Sequence, residues 1–316
     1  MDCGILKEIR GAKMNKIVTT VPSNFDATQL HVLIVEPQGQ AKGIIQIAHG
    51  MCEYIERYEG MMEFFASRGY VVAGNDHRGH KGSVKEDADL GYFGDKTGAA
   101  VVDDLLTVTK YLKGQYPNLP VYLFGHSMGS MVARCYLQQY DGMIDKVMLC
   151  GAPAKNALAG LAIFLTDVVT LFKGDRHLSK LLFALSLGPA EKQFAAEGST
   201  SWLSKNQANV KEYIADDYCG FLFTTNGFRN LFCLLRNTYR KGLYGVKNPK
   251  LPIYFMAGAD DPIIVSPKAW EAEMEFLKAC GYQDVSGKLY DGLRHELLKE
   301  NEREQVMEDM LAFLEK

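Results

Sequence analysis

The sequence predicts an α/β fold, in which a mostly parallel sheet of eight strands is flanked by helices and interrupted by a helical insertion. Short apolar runs alternate with helical patterns near both ends of the 316-residue chain, as parallel sheets require. Most of these runs are apolar throughout, which is typical of strands covered on both faces. The stretch 152–247 instead contains helical patterns and no strand. The composition, 47% hydrophobic and 23% charged, is that of an ordinary globular protein.

The predicted strands are short and rich in β-branched and aromatic residues. The first two are expected to form an antiparallel pair at one edge of the sheet. Those from residue 43 onward are mostly continuous apolar runs, as buried parallel strands are. The eight segments are 15–21, 29–35, 43–48, 70–74, 120–124, 146–150, 252–257 and 287–290.

Helices are predicted between these strands, with recognisable start and stop signals. One helix ends at Gly69, and another begins at Ser266-Pro267, an N-cap followed by a proline in the first turn. The predicted helices are 56–67, 97–113, 128–139, 267–279 and 302–315.

The helical insertion divides the chain into three parts. Residues 1–151 form the first part of the sheet-containing core, residues 152–247 form a helical cap of four or five helices, and residues 248–316 complete the core. An insertion of this size is expected to lie over the C-terminal edge of the sheet, where α/β proteins bind ligands.

Composition excludes several classes of function. The net charge is −3 and no basic block is present, so nucleic acid is not an expected partner. The seven cysteines are scattered and odd in number, which argues against a disulfide framework or a zinc site. The N-terminus becomes charged before an apolar signal segment forms, and the apolar stretch 157–172 is too short to cross a bilayer. We therefore expect a cytoplasmic protein.

The strongest chemical signal is the G-x-S-x-G motif at 125–129. A predicted strand precedes it and an amphipathic helix follows it, which is the context of a nucleophile on a sharp strand-to-helix turn. Glycines on both sides leave room for such a turn, and the helix N-terminus favours developing negative charge. Ser127 is therefore the predicted nucleophile.

A serine nucleophile needs a base and an acid, which in this type of fold follow it along the chain in the order acid, then histidine. His295 lies between the last predicted strand and the last helix, where the base is expected. The acid is expected after the preceding strand, where Asp260 and Asp261 are adjacent. We prefer Asp261, which Pro262 follows, and keep Asp260 as the alternative.

The negative oxygen of the reaction intermediate needs two backbone N–H donors. One should follow the nucleophile, and the other should lie in the loop after the strand at 43–48. These rules predict the amides of Met128 and Met51. Gly50, immediately before Met51, gives the backbone room to approach a substrate.

Five segments, HGMCEYIERY, NDHRGHKGS, GHSMGS, GADDP and DGLRHELLKE, together resemble the monoacylglycerol lipase and lysophospholipase group of serine α/β hydrolases. The resemblance spans about residues 26–316, and the segment 202–221 is similar to the cap of bacterial lysophospholipases. It implies the α/β-hydrolase fold, a triad of Ser127, Asp261 and His295, and a Glu53–Arg57 pair that braces the loop around Met51.

The sequence departs from the family pattern in two places, because Met51 stands at an oxyanion position where the family has a small residue and because one loop differs. The family has D-x-R-G-H-G-x-S, whereas here Lys81 separates the 76–80 segment from Gly82, which affects the geometry of this turn but not the triad. Asp76, His77 and His80 could suggest a metal site. They lie on a loop without a third ligand at useful spacing, so we expect them to brace the loop and expect no metal.

The cap carries more apolar surface than one core-facing helix face requires. The positions 158, 161, 162, 165, 168, 169 and 172 form one helical face, and other apolar residues lie off it. We expect an acyl-chain site that includes Phe164, Leu165, Val168 and Leu171. A transient contact with membranes or micelles is a further expectation.

The sequence thus predicts a serine carboxylester hydrolase that cleaves lipid-like monoesters, such as monoacylglycerol or lysophospholipid, through an acyl-enzyme on Ser127 and without a cofactor. A short-chain carboxylesterase or a thioesterase is the nearest alternative. A non-catalytic binding protein and a proline-specific peptidase are alternatives of other classes.

Overall fold

A computed structural model describes residues 14–316, and eight strands within them form one sheet. The predictions for Cys3 and for the charged N-terminal segment lie outside the described residues. Every strand overlaps a predicted segment, so the predicted α/β architecture is confirmed. The strands are β1 Asn15–Pro22, β2 Gln29–Glu36, β3 Gly43–Ala48, β4 Tyr70–Asn75, β5 Val121–His126, β6 Lys146–Cys150, β7 Ile253–Gly258 and β8 Val285–Tyr290.

The sheet has the order β1-β2-β4-β3-β5-β6-β7-β8. Strand β2 pairs antiparallel with both β1 and β4, and every later pair is parallel. The predicted antiparallel edge pair is therefore confirmed. Because β3, β5, β6 and β7 are parallel neighbours, the loops that follow them meet at one edge of the sheet.

Ten α-helices accompany the sheet in the described part of the chain. The helix predicted from residue 56 starts as a 3₁₀ turn, Ile55–Tyr58, before the α-helix begins. The helices are α1 Glu59–Ala66, α2 Ala99–Gln115, α3 Met128–Tyr140, α4 Ala159–Lys173, α5 Lys180–Ser186, α6 Gly188–Gln193, α7 Gln207–Ala215, α8 Thr225–Thr238, α9 Pro267–Cys280 and α10 Arg303–Leu314.

Both faces of the sheet are covered, as the continuous apolar strands require. Successive residues of β3 point to opposite sides: Ile44 packs in one apolar cluster with residues of α2 and α3, and Ile45 packs in another with residues of α1 and α10. This two-sided burial holds the carboxyl ends of the central strands rigid, and the candidate site is built on them.

Helices α4–α8 all lie between β6 and β7, within the predicted insertion, and we use the word cap for residues 152–247. Helix α4 packs against α8 and buries Ala159, Ile163 and Thr166. Among residues 14–316, no helix is both long and apolar enough to span a bilayer. The six cysteines of this part of the chain are all free thiols.

Candidate active site

Ser127 stands on a sharp turn between β5 and α3. Its φ is +51° and its ψ is −117°, a combination that a non-glycine residue rarely adopts. The turn is held by the Ser127 N–H, which donates to the Cys150 carbonyl at 2.9 Å, and by its carbonyl, which accepts from the Ser130 N–H at 2.9 Å. A Cβ on Gly129 would collide with the Ala48 carbonyl, so glycine is required where α3 crosses β3. The geometry is that of a nucleophile elbow.

His295 and Asp261 form a buried pair in the loops after β8 and β7. The His295 Nδ1 donates to the Asp261 Oδ2 at 2.8 Å, and both side chains are almost inaccessible to solvent. The other carboxylate oxygen of Asp261 accepts from the Ile263 N–H at 2.8 Å. Asp260 is exposed. Of the two acids that the sequence left open, the structure therefore brings Asp261 to the histidine.

The loop after β3 approaches Ser127 closely. Gly50, Met51, Ser127, Met128 and His295 all line one cavity. A Cβ added to Gly50 would lie 3.4 Å from the Cβ of Ser127 and 2.6 Å from the Glu53 carboxylate, so a side chain at this position would displace the loop. The two predicted amide donors thus lie in two segments that meet at Ser127: Met51 in the loop after β3 and Met128 at the start of α3.

A buried charge network lies behind this loop. The Glu53 carboxylate accepts from the Gly50 N–H at 2.5 Å and from the Tyr58 hydroxyl at 2.8 Å. The Nε of Arg57 lies 3.3 Å from Glu53, and its Nη2 donates to both oxygens of Glu296 at 2.8 and 3.0 Å. Arg57 therefore joins the loop after β3 to the loop that carries the histidine.

Several ionisable groups of the site have shifted pKa values. Burial would lower the pKa of His295, but Asp261, followed by Glu296 and Glu53, outweighs it and raises this pKa above its usual value. Burial and the neighbouring His295 lower the pKa of His126 to about 4. His126 is thus a neutral ring at pH 7, with its centroid 4.7 Å from that of His295.

The cavity above the serine has a volume of about 270 Å³. The core contributes Ser127 and His295 at its base, and the cap contributes most of its wall. The apolar wall consists of Leu158, Ala159, Leu161, Ala162, Leu165, Phe183, Leu185, Leu187, Leu231, Phe232 and Leu235.

The four cap residues predicted to bind substrate do not lie together. Leu165 lines the cavity, whereas Phe164 and Leu171 are 61% and 78% exposed on the outer side of α4. Val168 is half-buried and is not part of the lining. We therefore correct the predicted set and keep only Leu165. The neighbouring positions 158, 161 and 162, on the periodic face of α4, do line the cavity.

Sequence reasoning missed three cap residues that contact the histidine loop or Arg57. Trp202 packs against His295, and Asn209 donates to Glu296 at 2.6 Å. Tyr213 lies under the Arg57 guanidinium, 4.8 Å from it. A weak signal was available, because all three cap residues fall in the segment 202–221 that resembles a known cap, and Glu296 follows His295 directly.

The loop with the family departure supports the loop after β3. The His77 N–H donates to His49 Nε2 at 2.8 Å, and the Cys52 N–H donates to His80 Nε2 at 3.3 Å. The ring of His77 also bonds to the backbone, through its Nε2 and the His49 carbonyl at 3.0 Å, so His77 and His80 both have side-chain contacts with backbone groups of the loop after β3. Asp76 accepts from two backbone amides, those of Ile55 and Gly82, each at 2.8 Å.

One group among the described residues has metal-ligating atoms within 4.8 Å of one another, namely His31, Glu56 and Asp76. Both carboxylate oxygens of Asp76 are occupied by backbone donors. His31 donates to Glu56 at 2.8 Å, and the Lys81 ammonium lies 3.6 Å from Glu56. These contacts describe an ion-pair network, and we do not assign a metal to it.

Comparisons with known proteins agree with this architecture. The Hydrolase_4 family, described as "Serine aminopeptidase, S33", matches residues 39–302. A monoacylglycerol lipase of Mycolicibacterium smegmatis is 26% identical over 278 residues, covering 88% of this chain and 90% of that protein. Human monoglyceride lipase is 28% identical over 280 residues, covering 88% and 83%.

A thermostable carboxyl esterase from Bacillus coagulans, solved in complex with glycerol, has a TM-score of 0.84 and 26% identity over 96% of this chain and 99% of that one. The predicted resemblance to serine α/β hydrolases of the monoacylglycerol lipase type is therefore confirmed. The chain belongs to the Hydrolase_4 family and has the α/β-hydrolase fold.

Proposed function

We propose that this protein is a serine carboxylester hydrolase that cleaves lipid-like monoesters through an acyl-enzyme on Ser127. One observation carries the proposal: a single cavity joins Ser127 and His295 to an apolar wall made by the cap. The family and the named lipases and esterases among its relatives support the coarser assignment to ester hydrolysis.

In the first half-reaction, His295 takes the proton of the Ser127 hydroxyl as the serine oxygen attacks the ester carbonyl. Asp261, bonded to Nδ1 at 2.8 Å, holds the tautomer that leaves Nε2 free to accept and stabilises the imidazolium that forms. The amides of Met51 and Met128 are the proposed donors to the oxygen that becomes negative. His295 then gives its proton to the leaving alcohol, and the acyl group stays on Ser127.

In the second half-reaction, water replaces the alcohol. His295 takes a proton from the water as the water oxygen attacks the acyl carbonyl, and it returns that proton to Ser127 when the carboxylic acid leaves. The same two amides stabilise the second tetrahedral intermediate.

The two sides of the site suit the two parts of a lipid monoester. The apolar side chains of α4, α5 and α8 offer an acyl chain a wall that excludes water. A second cavity, of about 310 Å³, shares Glu53, His126 and Glu296 with the first and contains further charged and amide side chains. We infer that the acyl chain lies toward the cap and that the polar alcohol lies toward this second cavity.

The outer side of the cap supports a transient membrane contact. Large apolar residues of α4, α5 and their connecting turn that do not line the cavity are between 53% and 78% exposed: Phe164, Leu171, Phe172, Leu178 and Leu181. Soluble proteins rarely expose so many neighbouring apolar side chains. Leu171→Asp should weaken sedimentation with phosphatidylcholine vesicles and leave turnover of a soluble short ester unchanged. Equal sedimentation of both proteins would contradict the membrane contact.

The decisive experiment is a panel of monoacylglycerols, lysophospholipids, acyl thioesters and p-nitrophenyl esters of graded length, with wild type and Ser127→Ala. We expect monoacylglycerols or lysophospholipids to give the highest kcat/KM, and Ser127→Ala to lose several powers of ten in turnover while keeping its fold. A preference for acetate esters or thioesters would support the nearest alternatives. Turnover of peptide anilides in place of esters would support a peptidase. Wild-type protein that neither turns over any substrate nor reacts with a fluorophosphonate would be a binding protein.

A further inference from the structure

The cap places an indole ring against the imidazole of the proposed triad. Trp202 lies in the 3₁₀ turn Ser201–Leu203, and its ring centroid is 5.1 Å from that of His295, with the planes inclined by 43°. Trp202 is buried, and it lines the same cavity as Ser127. It is therefore a direct neighbour of the base, although it is 93 residues away along the chain.

This contact is fixed from both sides. The carbonyls of Ser201 and Leu203 accept hydrogen bonds from the Arg294 side chain and the Glu296 N–H, each at 2.7 Å. The residues on either side of the tryptophan are thus bonded to the residues on either side of His295. Because two such bonds align the segments, the indole cannot move away from the imidazole unless the cap segment itself is released.

The orientation of the indole is fixed as well. Its Nε1 donates to one oxygen of Glu191 at 2.9 Å, and the other oxygen accepts from the Thr200 N–H at 3.0 Å. The N–H edge of Trp202 is therefore committed to the cap, and the π system is left for His295. A hydrogen bond to a carboxylate also increases the electron density of the ring, which favours a neighbouring cation.

We infer, on the basis of the proposed function, that Trp202 is a positioning residue that stabilises the imidazolium form of His295. A cation within about 6 Å of an aromatic centroid is attracted to the ring, and the attraction grows when water is excluded. His295 is 2% exposed, so its positive form has little water to stabilise it. Each half-reaction passes through that positive form, which makes the indole useful in the transition state.

Other groups also act on the charge of His295. Asp261 lies on Nδ1, Glu296 follows His295 along the same loop, Glu53 faces it from the loop after β3, and His126 lies against its ring. A substitution at the indole leaves all four in place. A change in the titration of His295 can therefore be assigned to the loss of the ring.

The first test is the pH profile of kcat/KM for a soluble ester. We expect Trp202→Leu to lower kcat about tenfold, a factor that corresponds to about 1.4 kcal/mol. The acid limb of the profile should move to lower pH by about half a unit to one unit, because His295 loses a group that favours its protonated form. Trp202→Phe keeps a smaller π face, so both its kcat and the position of its acid limb should lie close to those of the wild type.

A role in packing alone predicts a different result. A cavity that admits water would solvate the imidazolium, so the acid limb would stay in place or move to higher pH while kcat falls. That outcome would overturn the inference. Trp270→Leu is the matched control, since it removes the other tryptophan of the chain from a buried position on α9, outside the cavity. Trp270→Leu should leave the acid limb of kcat/KM unchanged.

The second test does not depend on turnover. In Trp270→Phe, all indole emission comes from Trp202, and an imidazolium in contact with an indole quenches its fluorescence. Emission should fall as the pH is lowered, with a midpoint equal to that of the acid limb, and the fall should disappear when His295→Gln is added. Emission that is flat between pH 5 and 9 would contradict the inference even if Trp202→Leu cannot be purified. If the proposed function itself is wrong, a different result shows it: ester turnover would not depend on Ser127.

Discussion

The apolar wall of the cavity predicts how activity depends on acyl-chain length. Each methylene buried against this wall should gain up to ~0.8 kcal/mol, close to fourfold in kcat/KM, until the cavity is full. Wild-type kcat/KM should therefore climb with each added carbon and then stop abruptly. Because the acyl chain is held similarly in the ground and transition states, most of the climb should come from KM.

Leu165→Asp places a charge in this wall. One leucine side chain covers about two to three methylenes of an extended chain, so the substitution should cost about 2 kcal/mol, or about thirtyfold in kcat/KM, for a chain that reaches it. Acetate esters should be almost unaffected. Leu171→Asp is the matched control, because it makes the same change on the outer side of the same helix, where the leucine is 78% exposed.

The assay is kcat/KM for p-nitrophenyl esters from C2 to C10, kept below the concentration at which they form micelles. Under that condition the exposed outer side of the cap has no lipid surface to contact. An equal loss at every chain length in Leu165→Asp, or the same flattening in Leu171→Asp, would refute the acyl-chain site at the cap. A flat wild-type profile would leave a general short-chain esterase.

The remaining predictions concern the polar half of the site. Asp261→Asn should lower kcat by about 10⁴-fold and move the acid limb of kcat/KM to lower pH, because the carboxylate that raises the pKa of the imidazole is lost; Asp260→Asn should cost far less, and the reverse order would contradict the assignment. Gly50→Ala should lower kcat by about 10²-fold or more by displacing an amide donor, whereas Gly60→Ala, with open space around it on α1, should leave kcat unchanged. Arg57→Met should lower the free energy of unfolding by about 3–5 kcal/mol, since two buried carboxylates lose their partner. Burial acts to raise the pKa of Glu53, and Arg57 is among the groups that hold it low. Without the arginine this pKa should rise above that of the unfolded chain, so the loss should be smaller at pH 5 than at pH 8 in thermal melts, and a loss that does not depend on pH would argue against this origin.

Local patterns were sufficient for the sheet and for the main residues that the structure brings together at the candidate site. The strands are short apolar runs with clear ends, and the turn at Ser127 is marked by the glycines at 125 and 129. The order of the acid and the histidine along the chain follows from the fold rule for G-x-S-x-G. Such signals depend on residues close in sequence, or on one family-wide order, so a single sequence contains them.

The cap was predicted less well because helical periodicity does not say what each face meets. Helix α4 is apolar nearly all round, and its sequence allows several buried faces. In the structure, positions 159, 163 and 166 are buried, 158, 161, 162 and 165 line the cavity, and Phe164 and Leu171 face outward. Packing of α4 against α8 decides this, and α8 is more than fifty residues further along the chain.

The residues that sequence reasoning missed act between segments that are far apart. Glu296 accepts from Arg57, and the carbonyls on both sides of Trp202 accept from the loop of His295. A carboxylate or a tryptophan at such positions has no local requirement to satisfy, so the neighbouring sequence marks it only weakly. Each is nevertheless buried, and burial of a charge is tolerated only when a partner is present. The cost of leaving those groups unpaired ties the loop after β3, the histidine loop and the second half of the cap into one unit. The first half of the cap, α4 and α5, lacks such buried ion pairs among the described residues and supplies the apolar wall and the exposed surface instead.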